Sequence, residues 1–155
     1  MNATKIINAL ISALKRGVNV NLLLNLGYQG SLTSIPGVGG SNVDNAMKIV
    51  KAIKKYELVN GKAGNFNLRW YVDPKGRLSG KNPKVKGHYS SHTKYYSFDN
   101  QITMIGSSNL DRQSFYWSKE TNVLIDHHRT TTKWCKSVFR SDFLRGLDYR
   151  NYKKN

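Results

Sequence analysis

Residues 4–24 carry the chain's strongest secondary-structure signal. Thr4–Arg16 carries apolar side chains at Ile6, Ile7, Leu10, Ile11 and Leu14, the 3.6-residue stripe of an amphipathic helix. Gly17 follows Lys15 and Arg16, a stop signal with basic residues at the helix end. Val18–Leu24 then alternates and becomes wholly apolar, which predicts a strand buried on both faces. Helix, short turn and strand in immediate succession predict an α/β fold.

The rest of the chain continues that alternation. Tyr28–Gly40 holds four Gly and Pro36 and reads as a loop. Its Gly37-Val38-Gly39-Gly40 lacks the Lys-Ser/Thr of a P-loop and does not meet the dinucleotide fingerprint. Ser41 with Asp44 forms a capping box. It predicts a helix to about Tyr56, with Val43, Met47, Val50 and Ile53 inward. Asn65–Val72 alternates as a strand. Asp73–Gly87 is a Lys-rich loop, either a solvated connector or an electrostatic lip built from Lys75, Arg77, Lys81, Lys84 and Lys86. His88–Phe98 and Gln101–Ile105 read as paired strands around a turn at Asp99-Asn100. Thr121–Asp126 predicts another strand and Thr130–Leu147 a final helix, with Trp134, Val138, Phe139 and Leu144 on it.

At 155 residues and 17.6 kDa the chain has room for one domain, 1–155. No apolar run is long enough to span a bilayer. Met1–Arg16 has no small-residue cleavage site of the kind that ends a secretory signal. A single cysteine, Cys135, excludes an intrachain disulfide and any multi-cysteine zinc site; on an apolar helix it reads as a small core residue. The adjacent His127-His128 would point apart on a strand, which argues against a metal pair. The net charge is +16, with +9 concentrated in residues 51–94 and −2 over 95–128. Such a field favours polyanions: nucleic acid, or the phosphates of an anionic membrane.

The chemistry concentrates in His92-Thr93-Lys94, Asp99 and Gly106-Ser107-Ser108-Asn109. On a strand, His92 and Lys94 share one face. Ser107 and Asn109 follow a Gly that lets the backbone turn. An imidazole, an ammonium, a hydroxyl and an amide facing one pocket suit a tetrahedral phosphate. The His can attack phosphorus or move a proton.

This run resembles the HKD motif of the phospholipase D superfamily: H-x-K, four residues, D, six residues, G-S/G-x-N. Chance agreement at six such positions is on the order of 10⁻⁸ per start. Lys119-Glu120-Thr121-Asn122-Val123-Leu124-Ile125 looks like the family's acidic residue leading into a strand. Ala13-Leu14-Lys15-Arg16-Gly17-Val18-Asn19-Val20 looks like its helix-to-strand step. The resemblance implies an α/β/α sandwich with a mixed central sheet. It also implies a two-step phosphodiester exchange needing neither metal nor other cofactor. One His attacks phosphorus to form a phosphohistidine; a second protonates the leaving alcohol and then activates water or an acceptor alcohol. Carried over, His92 is the nucleophile or acid/base, and Lys94 and Asn109 bind phosphate. Ser107 supports the phosphate-binding groups, and Glu120 orients a His ring. Asp99 is either a substrate contact or a turn residue bonding local backbone.

That chemistry needs two such His residues, and this chain has one motif. Either two copies meet across a two-fold axis, or the chain is half of a longer two-motif protein. The family's fold begins with a strand ahead of the first helix, which favours the second. Two substrate classes compete. Asn109-Leu110-Asp111-Arg112-Gln113-Ser114-Phe115 looks like the N-L-D-x-R-S-F run of cardiolipin synthase-like branches, with Arg112 displaced by one position. This makes a phospholipid the first expectation, with an anionic membrane surface as partner. The small single-motif members are often homodimeric nucleases, so a nucleic-acid phosphodiester is the second. Trp70, Tyr71, Tyr95, Tyr96 and Trp117 could stack on bases or sit at a membrane interface. A non-catalytic half that keeps the fold without the reaction is the third reading.

Overall fold

The computed structural model describes residues 3–26, 41–79, 89–110, 114 and 116–152. The first helix, α1, runs Ala3–Lys15 and buries Ile7 and Leu14, with Leu10 and Ile11 packed beside them. It ends at Gly17, whose φ of 89° lies in the left-handed region that glycine enters without a Cβ clash. Strand β1, Val20–Leu24, follows. The helix α2, Asn42–Asn60, starts with the expected capping box: the Ser41 hydroxyl accepts from Asp44 N, and the Asp44 carboxylate accepts from Ser41 N. It runs four residues beyond Tyr56, to Gly61 at φ 81°. The inward stripe is Ala46, Ile49, Val50 and Ile53, so Val43 and Met47 lie at its margin.

Strand β2, Phe66–Trp70, pairs in parallel with β1, Val20 opposite Phe66 and Leu24 opposite Trp70. The connection brings the backbones at Gly64 and Val18 so close that a Cβ on Gly64 would lie 2.1 Å from Val18 O. Two apolar clusters flank this sheet. Ile7, Leu14, Ile49, Ile53 and Ala63 form one, and Leu26, Ala46, Leu68 and Trp70 the other.

The second sheet is an antiparallel meander of β3 (Tyr95–Phe98), β4 (Ile102–Gly106) and β5 (Asn122–Asp126). Asp99 and Asn100 join β3 to β4 with φ of 49° and 54°. Both central residues are left-handed, as a two-residue type I′ hairpin requires. Helix α3, His128–Trp134, packs back on β4 and β5. A π-helical turn, Cys135–Arg140, and a short helix α4, Ser141–Arg145, continue it. Strand β6, Leu147–Asp148, then returns to pair antiparallel with β2.

The fold is mixed α/β, as expected, but the strands form two three-stranded sheets, β1-β2-β6 and β3-β4-β5. The first sheet reaches the segment ahead of the second at Ser91. The Asn25 side chain takes both main-chain groups of Ser91, donating from Nδ2 to Ser91 O at 2.8 Å and accepting Ser91 N at 3.0 Å. A side chain stands in for the strand ladder.

Three other expectations change. The strand predicted from His88 begins only at Tyr95, opposite Ile105, one residue before β4 ends at Gly106. The continuous helix expected over Thr130–Leu147 is broken by the π turn, and Val138 and Leu144 are exposed on it. The start of the Lys-rich loop is a tight turn: Val72 bridges Leu78, and Asp73 accepts from Lys75 N and Arg77 N. Arg77 is committed there, bonded to Asp73 through Nε at 2.7 Å and stacked over the Tyr89 ring. Lys81, Lys84 and Lys86, like the glycine loop Tyr28–Gly40, lie outside the described residues.

Candidate active site

The β3–β4 hairpin brings the two halves of the motif to one end. Tyr95 pairs with Ile105, so Lys94 and Ser107 lie just beyond the last rungs. Backbones in such a ladder are about 5 Å apart. His92 is exposed and Lys94 half-buried, and both precede β3 on irregular backbone. The strand-face argument for their convergence therefore does not apply. What organises them is local: Lys94 Nζ donates to the main-chain O of His92 at 2.8 Å. Asn25 anchors the residue before His92. Asn25 was not among the sequence candidates. A lone Asn after a strand carries no motif, so its role emerges only from the fold.

Gly106 is required by close approach. A Cβ there would sit 2.2 Å from Asn122 Oδ1 and 2.4 Å from Thr121 O. The narrow gap lets Ser107–Asn109 bond across to β5. Ser107 N donates to Thr121 O at 3.0 Å, and Thr121 N donates to Ser107 Oγ at 3.1 Å. Asn122 Oδ1 accepts Ser108 N at 3.3 Å, and Asn122 Nδ2 donates to Ser108 Oγ at 2.9 Å. Tyr96 donates its hydroxyl to Ser108 O, and Ser114 Oγ accepts Asn109 N at 3.0 Å. Asn122, Tyr96 and Ser114 thus hold the loop that carries Asn109. Ser114 lies in the quoted N-L-D run, a signal that could have singled it out; Asn122 and Tyr96 look like ordinary strand residues.

Glu120 belongs to this cluster through Ser107. The Ser107 hydroxyl donates to its carboxylate in a short hydrogen bond. That bond, a second from Ser114 and the nearby Lys94 charge hold the Glu120 carboxyl below the ordinary carboxylate range, against a smaller opposing effect of desolvation. Glu120 therefore sets the Ser107 hydroxyl. Asp99 sits at the opposite end of the hairpin, in the type I′ turn. At about 3.4 Å per strand residue, it is more than 10 Å from Lys94.

His92, Lys94, Ser107, Asn109 and Glu120 thus lie along one rim, with His92, Ser107 and Asn109 exposed and Lys94 and Glu120 half-buried. An imidazole, a cation, hydroxyls and an amide gathered at one end of a hairpin are groups that can bind a phosphate and act on it. Leu110, Tyr116 and Trp117, which lie between Asn109 and Glu120 in sequence, expose apolar surface, Trp117 at 71%. Among the described residues no cluster of three His, Cys, Asp or Glu could hold a metal ion, and no helix is long and apolar enough to cross a membrane.

The family model described as "Cardiolipin synthase, PLD-like domain" matches residues 1–143. No curated protein matches the chain. Among solved structures, the fold is similar to a phospholipase D family member, Nuc from Salmonella typhimurium. The TM-score is 0.54 at 18% identity, covering 96% of this chain and 76% of that one. NucT from Helicobacter pylori aligns over 96% of this chain and 93% of its own, at 15% identity and a TM-score of 0.42.

Proposed function

The chain belongs to the phospholipase D-like family, and from that membership we propose that it cleaves or exchanges the phosphodiester bonds of phospholipids through a phosphohistidine. The observation that carries the chemistry is the rim itself: His92, Lys94, Ser107 and Asn109 at one end of a hairpin, open to a large substrate. An imidazole nitrogen of His92 attacks phosphorus, forming an N–P bond as the P–O bond to the first alcohol breaks. Lys94 and the Asn109 amide balance the charge that gathers on the phosphoryl oxygens. A second His, from another copy of this chain or from a longer protein, gives its proton to the leaving alcohol. It then removes one from water or an acceptor alcohol, whose oxygen displaces His92.

The lipid substrate draws its support from the apolar rim of Leu110, Tyr116 and Trp117 beside the phosphate-binding groups. Aromatic side chains favour the membrane interface, and a charge of +16 favours an anionic one. A second reading, a homodimeric endonuclease, rests on the same exposed rings as stacking platforms for bases.

Turnover decides between them. The wild-type chain and His92→Ala are assayed on phosphatidylglycerol vesicles and on single-stranded DNA and RNA, with acid-labile phosphate on the protein as the covalent signature. The expected result is lipid turnover that His92→Ala abolishes, with labelled protein only in the wild type. Turnover of nucleic acid alone selects the nuclease; no turnover of either substrate leaves the non-catalytic half.

A further inference from the structure

A second basic site lies away from the rim. His128, Arg129, Thr132, Lys133 and Lys136 line an open groove of about 400 Å³ along α3 and the start of the π turn. Positions four apart share a helix face, so His128, Thr132 and Lys136 form one row and Arg129 and Lys133 the next. Helix α3 begins where β5 ends, at the hairpin-turn end of the meander: Asp126 pairs with Ile102, whereas Asn122 pairs with Gly106 beside Ser107. Four residues of strand put the start of the groove about 14 Å from the catalytic end.

Two features of the groove point to a ligand. Among the described residues none of Arg129, Lys133 and Lys136 is in an ion pair; the pairs found are Asp73–Arg77, Asp142–Arg145 and Asp148–Arg150. Among the described residues, three cations are thus left together without a carboxylate. The Thr132 hydroxyl is buried in the groove wall and has no hydrogen-bond partner among the described residues. A buried unpaired hydroxyl is costly, and threonine on a helix alternates between two χ1 positions. A change of χ1 would be needed to turn the hydroxyl to the groove, where a ligand oxygen would satisfy it.

We propose that this groove binds the headgroup phosphate of an anionic phospholipid in a bilayer and so docks the protein on the membrane beside its substrate. The lipid class rests on the phospholipid reading above. The walls are largely the aliphatic stems of the basic residues, which favour a boundary between headgroup and acyl chain. The same helical run exposes Val138 and Leu144. A basic helix with exposed apolar side chains is suited to lie in that interface.

The test is vesicle co-sedimentation in the His92→Ala background, so that turnover plays no part. Arg129→Ala/Lys133→Ala/Lys136→Ala is compared with Lys51→Ala/Lys54→Ala/Lys55→Ala, which removes equal charge from exposed positions on α2. Thr132→Val serves as a charge-neutral variant, and circular dichroism verifies folding. On vesicles containing phosphatidylglycerol, the groove triple should weaken binding at least about tenfold and the α2 triple less than about threefold. Thr132→Val should weaken it about threefold. Equal losses in the two triples, or unchanged binding in Thr132→Val, overturn the groove. Two further results overturn its lipid assignment. One is a groove triple that loses single-stranded oligonucleotide but keeps vesicles. The other is displacement of vesicles by millimolar inorganic phosphate at constant ionic strength. A wild type that binds vesicles through the groove yet turns over no phospholipid would remove the proposed substrate and leave the groove standing.

Discussion

Asn25 and Ser91, 66 residues apart in sequence, exchange two hydrogen bonds, at 2.8 and 3.0 Å. This exchange ties the segment carrying His92 to the end of β1. The Asn25 main-chain O also accepts from Asn42 Nδ2 at 2.8 Å, which brings the start of α2 into the same knot. One residue, Asn25, thus links the first sheet, the second helix and the segment of the candidate nucleophile. Asn25→Ala should cost about 1–2 kcal/mol in urea unfolding and about tenfold in kcat, with KM changed less. Steady-state kinetics on the folded variant would check this, and Asn25→Asp should not rescue it, because a carboxylate has no donor for Ser91 O.

Gly106→Ala should be among the more damaging single substitutions in the meander. The added methyl meets Asn122 Oδ1 and the Thr121 carbonyl, and backbone cannot give way as a flexible side chain can. A loss of about 1–3 kcal/mol is expected. Activity should fall further than stability alone explains, because the loop holding Ser107 and Asn109 is displaced. Unfolding and turnover measured on the same preparation separate the two effects.

Asp99→Asn should leave turnover within about twofold of wild type, because the residue occupies the left-handed turn far from His92. Asn100→Gly, at φ 54°, should raise stability by about 0.5–1 kcal/mol. A large loss of activity in Asp99→Asn would mean that the aspartate acts at the phosphate after all.

The acid limb of the pH profile should report Glu120. Its folded value lies below the ordinary one, first because of the Ser107 hydroxyl and then Ser114, with Lys94 adding to them. A lowered carboxylate stabilises the fold above its unfolded value and loses that contribution as pH falls through the folded value. Glu120→Gln should therefore flatten the stability profile in this acid range. It should also reduce kcat at neutral pH by about tenfold as the Ser107 hydroxyl loses its acceptor charge.

Asp148 gives a second acid transition, remote from the rim. The Arg150 side chain, chiefly, holds its carboxyl at about 2, below the ordinary 3.8, with Arg69 contributing. The sign is the same: stability is retained above pH 3.8 and lost as pH falls toward 2. Asp148→Asn should lower the urea midpoint at pH 7 and remove the difference between pH 5 and pH 2.5 attributable to this group.

Local physics carried much of the architecture in the sequence alone. The apolar stripe of α1 and its stop at Gly17 are short-range patterns. So are the Ser41–Asp44 capping box and the Asp99-Asn100 turn, which depend on neighbours within a few residues. The spacing from His92 to Asn109 was legible for the same reason, since a hairpin of fixed length brings its two ends together. Only the tertiary structure decided where the strands stop and which side chains hold the rim. Strand β3 begins only at Tyr95, opposite Ile105 near the end of β4, and the Asn25 side chain holds Ser91. Arg77, one of a run of basic residues in sequence, is bound by Asp73 and Tyr89. The three cations on α3 and the π turn stand without partners among the described residues because no carboxylate folds against them. Each of these depends on contacts between segments distant in the chain, and pattern within a segment does not encode which distant group will arrive.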